Sequence, residues 1–484
     1  EASASGPRAI AVAPGDGIGP EITEATLRVL EAARAPLAVE RVELGERAYR
    51  AGESSGVPQA AWETIRRTGV LLKGPMTTPQ GRGYKSVNVT LRKSLGLFAN
   101  VRQCKSYSPF VPSSHAGMNL VIVRENEEDL YAGIEHRQTD EVVQCLKLVT
   151  RPGSESVIRY AFEYARAYGR ERVTCMTKDN IMKMTDGLFH RVFDEVAREY
   201  PEIASEHEII DIGAARVAAQ PERYDVIVTL NLYGDILSDI AAQVAGSVGL
   251  AGSTNVGREA AMFEAVHGSA PDIAGRGIAN PSGLLVAATQ MLVHLGLADQ
   301  AAAIKNAWLR TLEDGVHTAD IHREGLSRAQ VDTRGFTDAI IERLGERPRH
   351  LEPVAYTGGG VRLPAWRPVP ASRRDLVGVD VFLAWSPPDR DPDVLGRALV
   401  QLAGDDLELR VVTNRGVRVF PDGLPETLLS DHWRCRFAKR RPLAFRQVID
   451  LLARIDAAGF EVIKTEHLYE HADGLPGYSL AQGE

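Results

Sequence analysis

Short apolar runs alternate with helical stripes through the first two thirds of this chain, and that rhythm restricts its fold more than any other feature. Residues 8–13 (RAIAVA) form an apolar β-type run that ends at a glycine-rich turn. A helix is expected from Pro20, because proline suits the first helical position and Ile22, Ala25, Val29 and Ala33 recur along one face. Residues 70–73, 120–124, 173–177 and 225–230 are the clearest further strands. Strands separated by helices imply α/β layers around a parallel sheet.

From residue 347 the texture changes. Proline and glycine crowd the run RPRHLEPVAYTGGGVRLPAWRPVP, so 346–374 is expected to be a linker. Beyond it, strands are expected at 376–385, 407–413, 433–437 and 460–465, with helices at 392–404 and 443–458. The second helix would bury Phe445, Val448, Leu452 and Ile455 along one face. The order β-α-β-β-α-β implies a ferredoxin-like α+β module over 375–484.

Composition excludes several function classes. The 484 residues carry 56 Lys and Arg against 64 Asp and Glu, a net charge of −8, which gives no electrostatic footprint for nucleic acid or an anionic membrane. The most apolar stretch, 283–298, contains Gln290 and His294 and is too short to span a bilayer, so a buried helix is expected there. Cys104, Cys145, Cys175 and Cys435 lie far apart; they suit free thiols in a reducing compartment rather than a zinc site or disulfide framework. The first residue is Glu1 rather than methionine, which leaves room for an upstream targeting segment.

Gly15-Asp16-Gly17-Ile18-Gly19 follows a strand and precedes a helix, but Pro20 stands where a dinucleotide fingerprint needs its third glycine. A tight turn is the better reading, with a dinucleotide held elsewhere. Asp235 and Asp239, if helical, lie one turn apart on one face and form a ligand pair for a hard divalent cation. Arg92, Arg102 and Arg124 offer bidentate donors to a polycarboxylate. Tyr131, Lys178 and Asn180 follow strands; tyrosine and lysine act as acid or base near neutrality only beside a metal or other charges.

Taken together, long ordered segments carry a resemblance. GDGIGPE at 15–21, LKGPMTTP at 72–79, SVNVTLRKSLGLFANVR at 86–102, VRENEEDLYAGIEH at 123–136, NLYGDILSD at 231–239 and FEAVHGSAPDIAG at 263–275 resemble the isocitrate and 3-isopropylmalate dehydrogenase family. The tail, with VGVDVF at 377–382 and DHWRCRF at 431–437, is similar to the additional C-terminal domain of long Thermus-type members. The resemblance implies a three-layer α/β fold: a large cofactor-side domain from 1–97 and 246–345, a small domain with a dimer clasp from 98–245, and the C-terminal module, expected to reinforce the dimer.

Residue by residue, it implies that Arg92, Arg102 and Arg124 grip substrate carboxylates, with Thr78 and Asn180 beside them. Asp235 and Asp239, joined by Asp211 of a second copy, would bind Mg²⁺ or Mn²⁺. Lys178, also from the second copy, would remove the substrate hydroxyl proton, and Tyr131 would protonate the product enol. Shared sites imply an obligate homodimer. Ile212 departs from the family's asparagine next to the aspartate matched to Asp211.

Ser86 and Asn88 place a hydroxyl and an amide where isopropylmalate enzymes carry apolar side chains, so isocitrate is the expected substrate. Homoisocitrate, 3-isopropylmalate and a non-catalytic regulatory role are the alternatives. The loop HGSAPDIAG would wrap the adenosine end of the cofactor, using His267, Gly268, Ala270 and Asn280, with Thr78 near the nicotinamide. Related NADP enzymes have Lys-Tyr where this chain has Asp272-Ile273; a carboxylate accepts bonds from ribose hydroxyls and repels a 2′-phosphate, so NAD is expected. The compartment would be cytoplasm in a bacterium or mitochondrial matrix in a eukaryote.

Overall fold

The computed structural model describes residues 6–78, 86–356, 361, 368, 370–472, 474 and 476–481. Part of the expected linker and the last residue of the 72–79 motif lie outside them. The chain divides into two compact units, one from 1–132 with 147–366 and one from 133–146 with 367–484.

The first unit is built on a ten-stranded sheet, its strands numbered here in chain order. They are β1 (Arg8–Ala13), β2 (Leu37–Arg41), β3 (Val70–Lys73), β4 (Ala99–Lys105), β5 (Asn119–Glu125), β8 (Arg172–Thr177), β9 (Ala204–Ile209), β10 (Val226–Thr229), β11 (Gly252–Val256) and β12 (Ala261–Ala265). Their spatial order is β2-β1-β3-β12-β11-β4-β5-β10-β8-β9. Both flanks are parallel, as the alternating pattern implies. The centre is not: β12-β11, β11-β4 and β4-β5 pair antiparallel. The expectation of a parallel sheet is therefore corrected to a mixed one. Only residues 257–260 join β11 to β12, whereas a parallel crossover takes about a dozen residues or more.

The two largest of this unit's apolar cores lie on either side of that centre. One packs the helices Gly19–Ala32, Ser282–His294 and Ala298–Glu313 against β1, β3 and β12. Helix Ser282–His294 buries every residue from Ser282 to Thr289, which explains why its sequence is apolar all round. The other core packs helices Arg151–Ala167 and Thr185–Ala197 against β5, β8 and β10. Two short strands, β13 (Val316–His317) and β14 (Ala329–Gln330), pair separately. No helix of the described residues is long and apolar enough to cross a membrane.

The second unit is an antiparallel sheet of β15 (Arg374–Ala384), β16 (Leu407–Asn414), β17 (Val417–Phe420), β18 (His432–Lys439) and β19 (Glu461–His471), in the order β17-β16-β18-β15-β19. Without β17, the order and the helices Pro392–Leu402 and Phe445–Ala457 are those of the ferredoxin-like module. β17 is an addition. Arg415 and Gly416, both at positive φ, make the two-residue turn that folds it back on β16. The buried stripe of the second helix is Val448, Leu451 and Ile455; Phe445, expected inside, is exposed. The hairpin of β6 (Glu135–Arg137) and β7 (Val143–Cys145) belongs to this unit, tied by an Arg390–Glu141 ion pair at 2.6 Å and by Lys464 Nζ donating to Gln144 Oε1 at 3.4 Å.

Candidate active site

The three arginines arrive from different elements. Arg92 is on helix Val87–Ser94, Arg102 on β4 and Arg124 on β5, and all are buried. With Ser86, Asn88, Tyr131, Asp235, Glu264, His267 and Gly268 they line one cavity of about 210 Å³.

Helix Asn231–Val244 brings the carboxylates. Its first residue, Asn231, accepts from Arg124 Nε at 3.0 Å and Nη2 at 2.7 Å, and Arg124 Nη1 pairs with Asp235. Gly234 permits this approach, since a Cβ there would lie 2.5 Å from Arg124 Cγ. Arg102 reaches both aspartates, Asp239 at 3.1 Å and Asp235 at 3.5 Å, and donates to Ser238 Oγ at 2.6 Å. Tyr131 donates its hydroxyl to Asp235 Oδ2 at 2.6 Å.

These contacts set the protonation states. Burial opposes the charge on Asp235, but Arg124, the Tyr131 hydroxyl and Arg102 outweigh it and hold the carboxyl below its usual range. Asp239 moves the other way, raised by burial against the pull of Arg102. Burial also raises the Tyr131 phenol, so it keeps its proton at neutral pH. Arg124, lowered by burial to about 10, remains a cation there.

A second layer holds the arginines, and the sequence reading missed it. Glu264 on β12 pairs with Lys73 at 2.5 Å and with Arg92 at 2.9 Å. Burial alone would neutralise Glu264, yet Lys73 and Arg92 keep it far below the usual carboxylate range. Asn255 on β11 donates to Glu264 Oε1 at 2.8 Å and accepts from Asn100 on β4 at 2.8 Å. Asn100 in turn accepts from Arg102 Nε at 2.9 Å. A continuous polar chain thus joins Arg92 to Arg102 inside the sheet. In sequence its members are isolated polar residues within apolar strands; the signal was that polar groups inside strands as buried as β3 and β12 require partners.

Some polar atoms are left over. Among the described residues, Arg92 Nε, Asn88 Oδ1 and His267 Nε2 are buried without a partner. Ser86 starts the helix at Val87 without capping it by its side chain, and Thr78 donates to its hydroxyl at 3.3 Å instead. Unmet donors and acceptors around one cavity are the features of a site waiting for a polar ligand.

The loop after β12 has its own support. Gly17, at φ +58°, lies so close that a Cβ would stand 2.0 Å from the Ser269 carbonyl oxygen, and Ile18 N donates to that oxygen at 2.9 Å. The glycine turn at 15–19 is therefore a buttress for the loop at 267–273. Ala270 takes the left-handed conformation at φ +38°, a strained state for a residue with a Cβ. Asn280 donates to Asp320 Oδ2 at 3.0 Å. Asp272 is exposed on a 3₁₀ turn, Pro271–Ile273, and Ile273 packs partly buried on the core.

Lys178, Asn180 and Asp211 do not line the arginine cavity. Lys178 Nζ lies 3.1 Å from Asp211 Oδ1, and Asn180 is exposed. Ile212, next to Asp211, is 47% exposed.

Residues 9–340 match the isocitrate/isopropylmalate dehydrogenase family, and residues 374–484 match the bacterial isocitrate dehydrogenase C-terminal domain. The chain belongs to the isocitrate/isopropylmalate dehydrogenase family. Among its relatives, the isocitrate dehydrogenase [NADP] of Rickettsia bellii is 50% identical over 480 residues, covering 98% of this chain and 99% of the relative. The isocitrate dehydrogenase [NADP] of Thermus thermophilus is 47% identical over 489 residues, covering 99% and 96%. A Thermus thermophilus crystal structure superposes with a TM-score of 0.93 at 47% identity, covering 100% of this chain and 98% of that one.

For this family member, the NAD expectation is overturned by those full-length relatives, which are named NADP enzymes. The structure supplies the physical reason. Asp272 is exposed, and between exposed charges 4 Å apart in water the interaction is only about 1 kcal/mol. Arg276, also exposed and four residues further along, adds the opposite charge nearby in sequence. One surface carboxylate is too weak a basis for choosing the cofactor.

Proposed function

We propose that this chain catalyses the NADP-dependent oxidative decarboxylation of isocitrate to 2-oxoglutarate and carbon dioxide, with Mg²⁺ or Mn²⁺, as a homodimer whose active sites are shared. The observation that carries the reading is the convergence of Arg92, Arg102, Arg124, Tyr131 and Asp235 on one cavity that retains unpartnered Arg92 Nε and Asn88 Oδ1. Three guanidinium groups suit a tricarboxylate, and the polar Ser86 and Asn88 side chains suit its third carboxylate better than an alkyl group.

The donor set fits a hard cation: Asp235 and Asp239 are carboxylates one turn apart that at present share the charge of Arg102. The loop fits a dinucleotide: His267 Nε2 lacks a partner and Ala270 is strained. A divalent metal held by Asp235 and Asp239 would make the substrate hydroxyl more acidic, and bound NADP would supply the hydride acceptor. The chain's own part begins with the arginines, which orient the carboxylates. Lys178 takes the C2 hydroxyl proton as hydride leaves C2. The bond from C3 to its carboxylate then breaks, releasing carbon dioxide, and Tyr131 delivers a proton to C3.

The dimer reading rests on Lys178 and Asp211 lying outside their own chain's cavity while facing each other. Exposed apolar residues surround them: Ile181 and Met184 after Lys178, Ile212 beside Asp211, and Ile236 on the helix that packs against that of Ile212. A second copy would cover them. The large-domain division at 1–97 with 246–345 and the small-domain division at 98–245 are retained in this proposal, apart from 133–146, which belongs to the second unit.

The test is initial rates at saturating Mg²⁺ with isocitrate, homoisocitrate and 3-isopropylmalate, each with NADP and with NAD. Fast turnover with isocitrate and NADP is expected. Preference for another acid overturns the role of Ser86 and Asn88; absence of turnover with every pair overturns the enzyme reading.

A further inference from the structure

Away from the arginine cavity, three side chains come together from consecutive elements. Asp179 follows β8, His190 is on helix Thr185–Ala197, and His207 is on β9, the parallel neighbour of β8. Asp179 Oδ2 lies 2.6 Å from His190 Nδ1, and Oδ1 lies 3.9 Å from His207 Nε2. The two imidazoles stack with centroids 3.6 Å apart and planes 15° from parallel. One ligand atom from each of the three residues lies within 4.8 Å of the other two. Asp194, a turn beyond His190, places an oxygen 3.8 Å from His190 Nε2.

We propose that Asp179, His190 and His207 form a binding site for a borderline transition-metal ion of the Zn²⁺, Ni²⁺ or Cu²⁺ class, separate from the Asp235–Asp239 pair. Two imidazole nitrogens and one carboxylate oxygen are the ligand set such ions favour, whereas Mg²⁺ selects oxygens. Zinc–ligand bonds of about 2.0–2.2 Å in a tetrahedron put ligand atoms about 3.3–3.6 Å apart, so the 2.6 Å Asp179–His190 contact opens and the 3.9 Å Asp179–His207 contact closes by modest side-chain rotation. All three residues are partly exposed, which gives an ion a route in, and water or Asp194 can complete the shell.

Thr177 Oγ1 lies 2.9 Å from His207 Nε2 and accepts from Asp179 N at 3.3 Å, so one hydroxyl ties His207 to the turn that begins at Lys178. An ion here would fasten that turn to β9.

The experiment uses the full-length protein, freed of metal by chelation and then held in excess Mg²⁺ to saturate oxygen-only sites. One equivalent of Cu²⁺ is added, and electron paramagnetic resonance reads nitrogen hyperfine coupling. Coupling from two imidazoles is expected in the wild type and its loss in His190→Gln/His207→Gln, with Cu²⁺ affinity falling at least about tenfold. Oxygen-only coordination in the wild type, or an unchanged nitrogen pattern in the variant, overturns the site. Should the variant not fold, zinc-edge X-ray absorption of wild type with one equivalent of Zn²⁺ decides. Two imidazole scatterers support the proposal; none or one refutes it.

Discussion

Replacing Glu264 by glutamine tests the buried charge network directly. The change keeps the side chain's shape but removes the negative charge 2.5 Å from Lys73 Nζ and 2.9 Å from Arg92. Lys73 is wholly buried, and its principal stabilising charge is that of Glu264. Removing one partner of a buried pair costs about 3–5 kcal/mol, because the other charge is left uncompensated. For a unit of this size each kcal/mol lowers the midpoint by about 2 °C, so calorimetry should show a fall of about 6–10 °C in the large-sheet unit. The pH dependence has a definite sign. Burial already depresses the folded-state pKa of Lys73, and losing Glu264 depresses it further. Between the folded and unfolded pKa values the unfolded chain then binds more protons, so stability rises with pH. The deficit of Glu264→Gln should therefore shrink as pH rises from neutrality towards the ordinary lysine range. Adding Lys73→Met removes the stranded ammonium and should recover part of the loss. A single variant within about 1 kcal/mol of wild type, or a double variant worse by the sum of both singles, would refute the argument.

Tyr131→Phe removes the donor to Asp235 and should lower kcat by about 10²–10⁴ with an unchanged circular dichroism spectrum; a kcat within a factor of about three of wild type sinks its role as acid. Mixing inactive Lys178→Met and Tyr131→Phe proteins and letting subunits exchange should restore about a quarter of wild-type activity, since half the dimers then hold one intact site of two; no recovery means Lys178 serves its own chain. Mn²⁺ binding, followed by electron paramagnetic resonance, should weaken about tenfold per pH unit once Asp239 protonates. Burial raises Asp239 while the neighbouring arginines hold Asp235 down, so Asp239 titrates first as pH falls. Affinity that is flat through the acidic range counts against Asp239 as a ligand.

The grouping of Arg92, Arg102, Arg124, Tyr131 and Asp235, which meet in one cavity, was readable because their sequence neighbourhoods are long and ordered. Their supports were not. Lys73, Asn100, Asn255 and Glu264 are scattered over β3, β4, β11 and β12, and only the strand order brings them together. The antiparallel centre of the sheet escaped for a related reason, since periodicity reports strands but not their direction. β17 escaped because its pairing depends on backbone angles at Arg415 and Gly416, and four residues carry little periodic signal. The cofactor expectation failed because it rested on a single pair, Asp272-Ile273, against relatives named as NADP enzymes over their full length.

The polar chain from Arg92 through Glu264, Asn255 and Asn100 to Arg102 has a consequence for how such a site can diverge. The two guanidinium groups are bolted to one frame, so their spacing cannot drift by single substitutions without unseating buried partners. If Arg92 and Arg102 grip substrate carboxylates as proposed, new substrates must keep the same separation between the carboxylates they present to this pair. Variation is cheaper at Ser86 and Asn88, which line the same cavity outside that frame. A library aimed at new acids should leave the gauge set by the arginines alone and randomise those two positions.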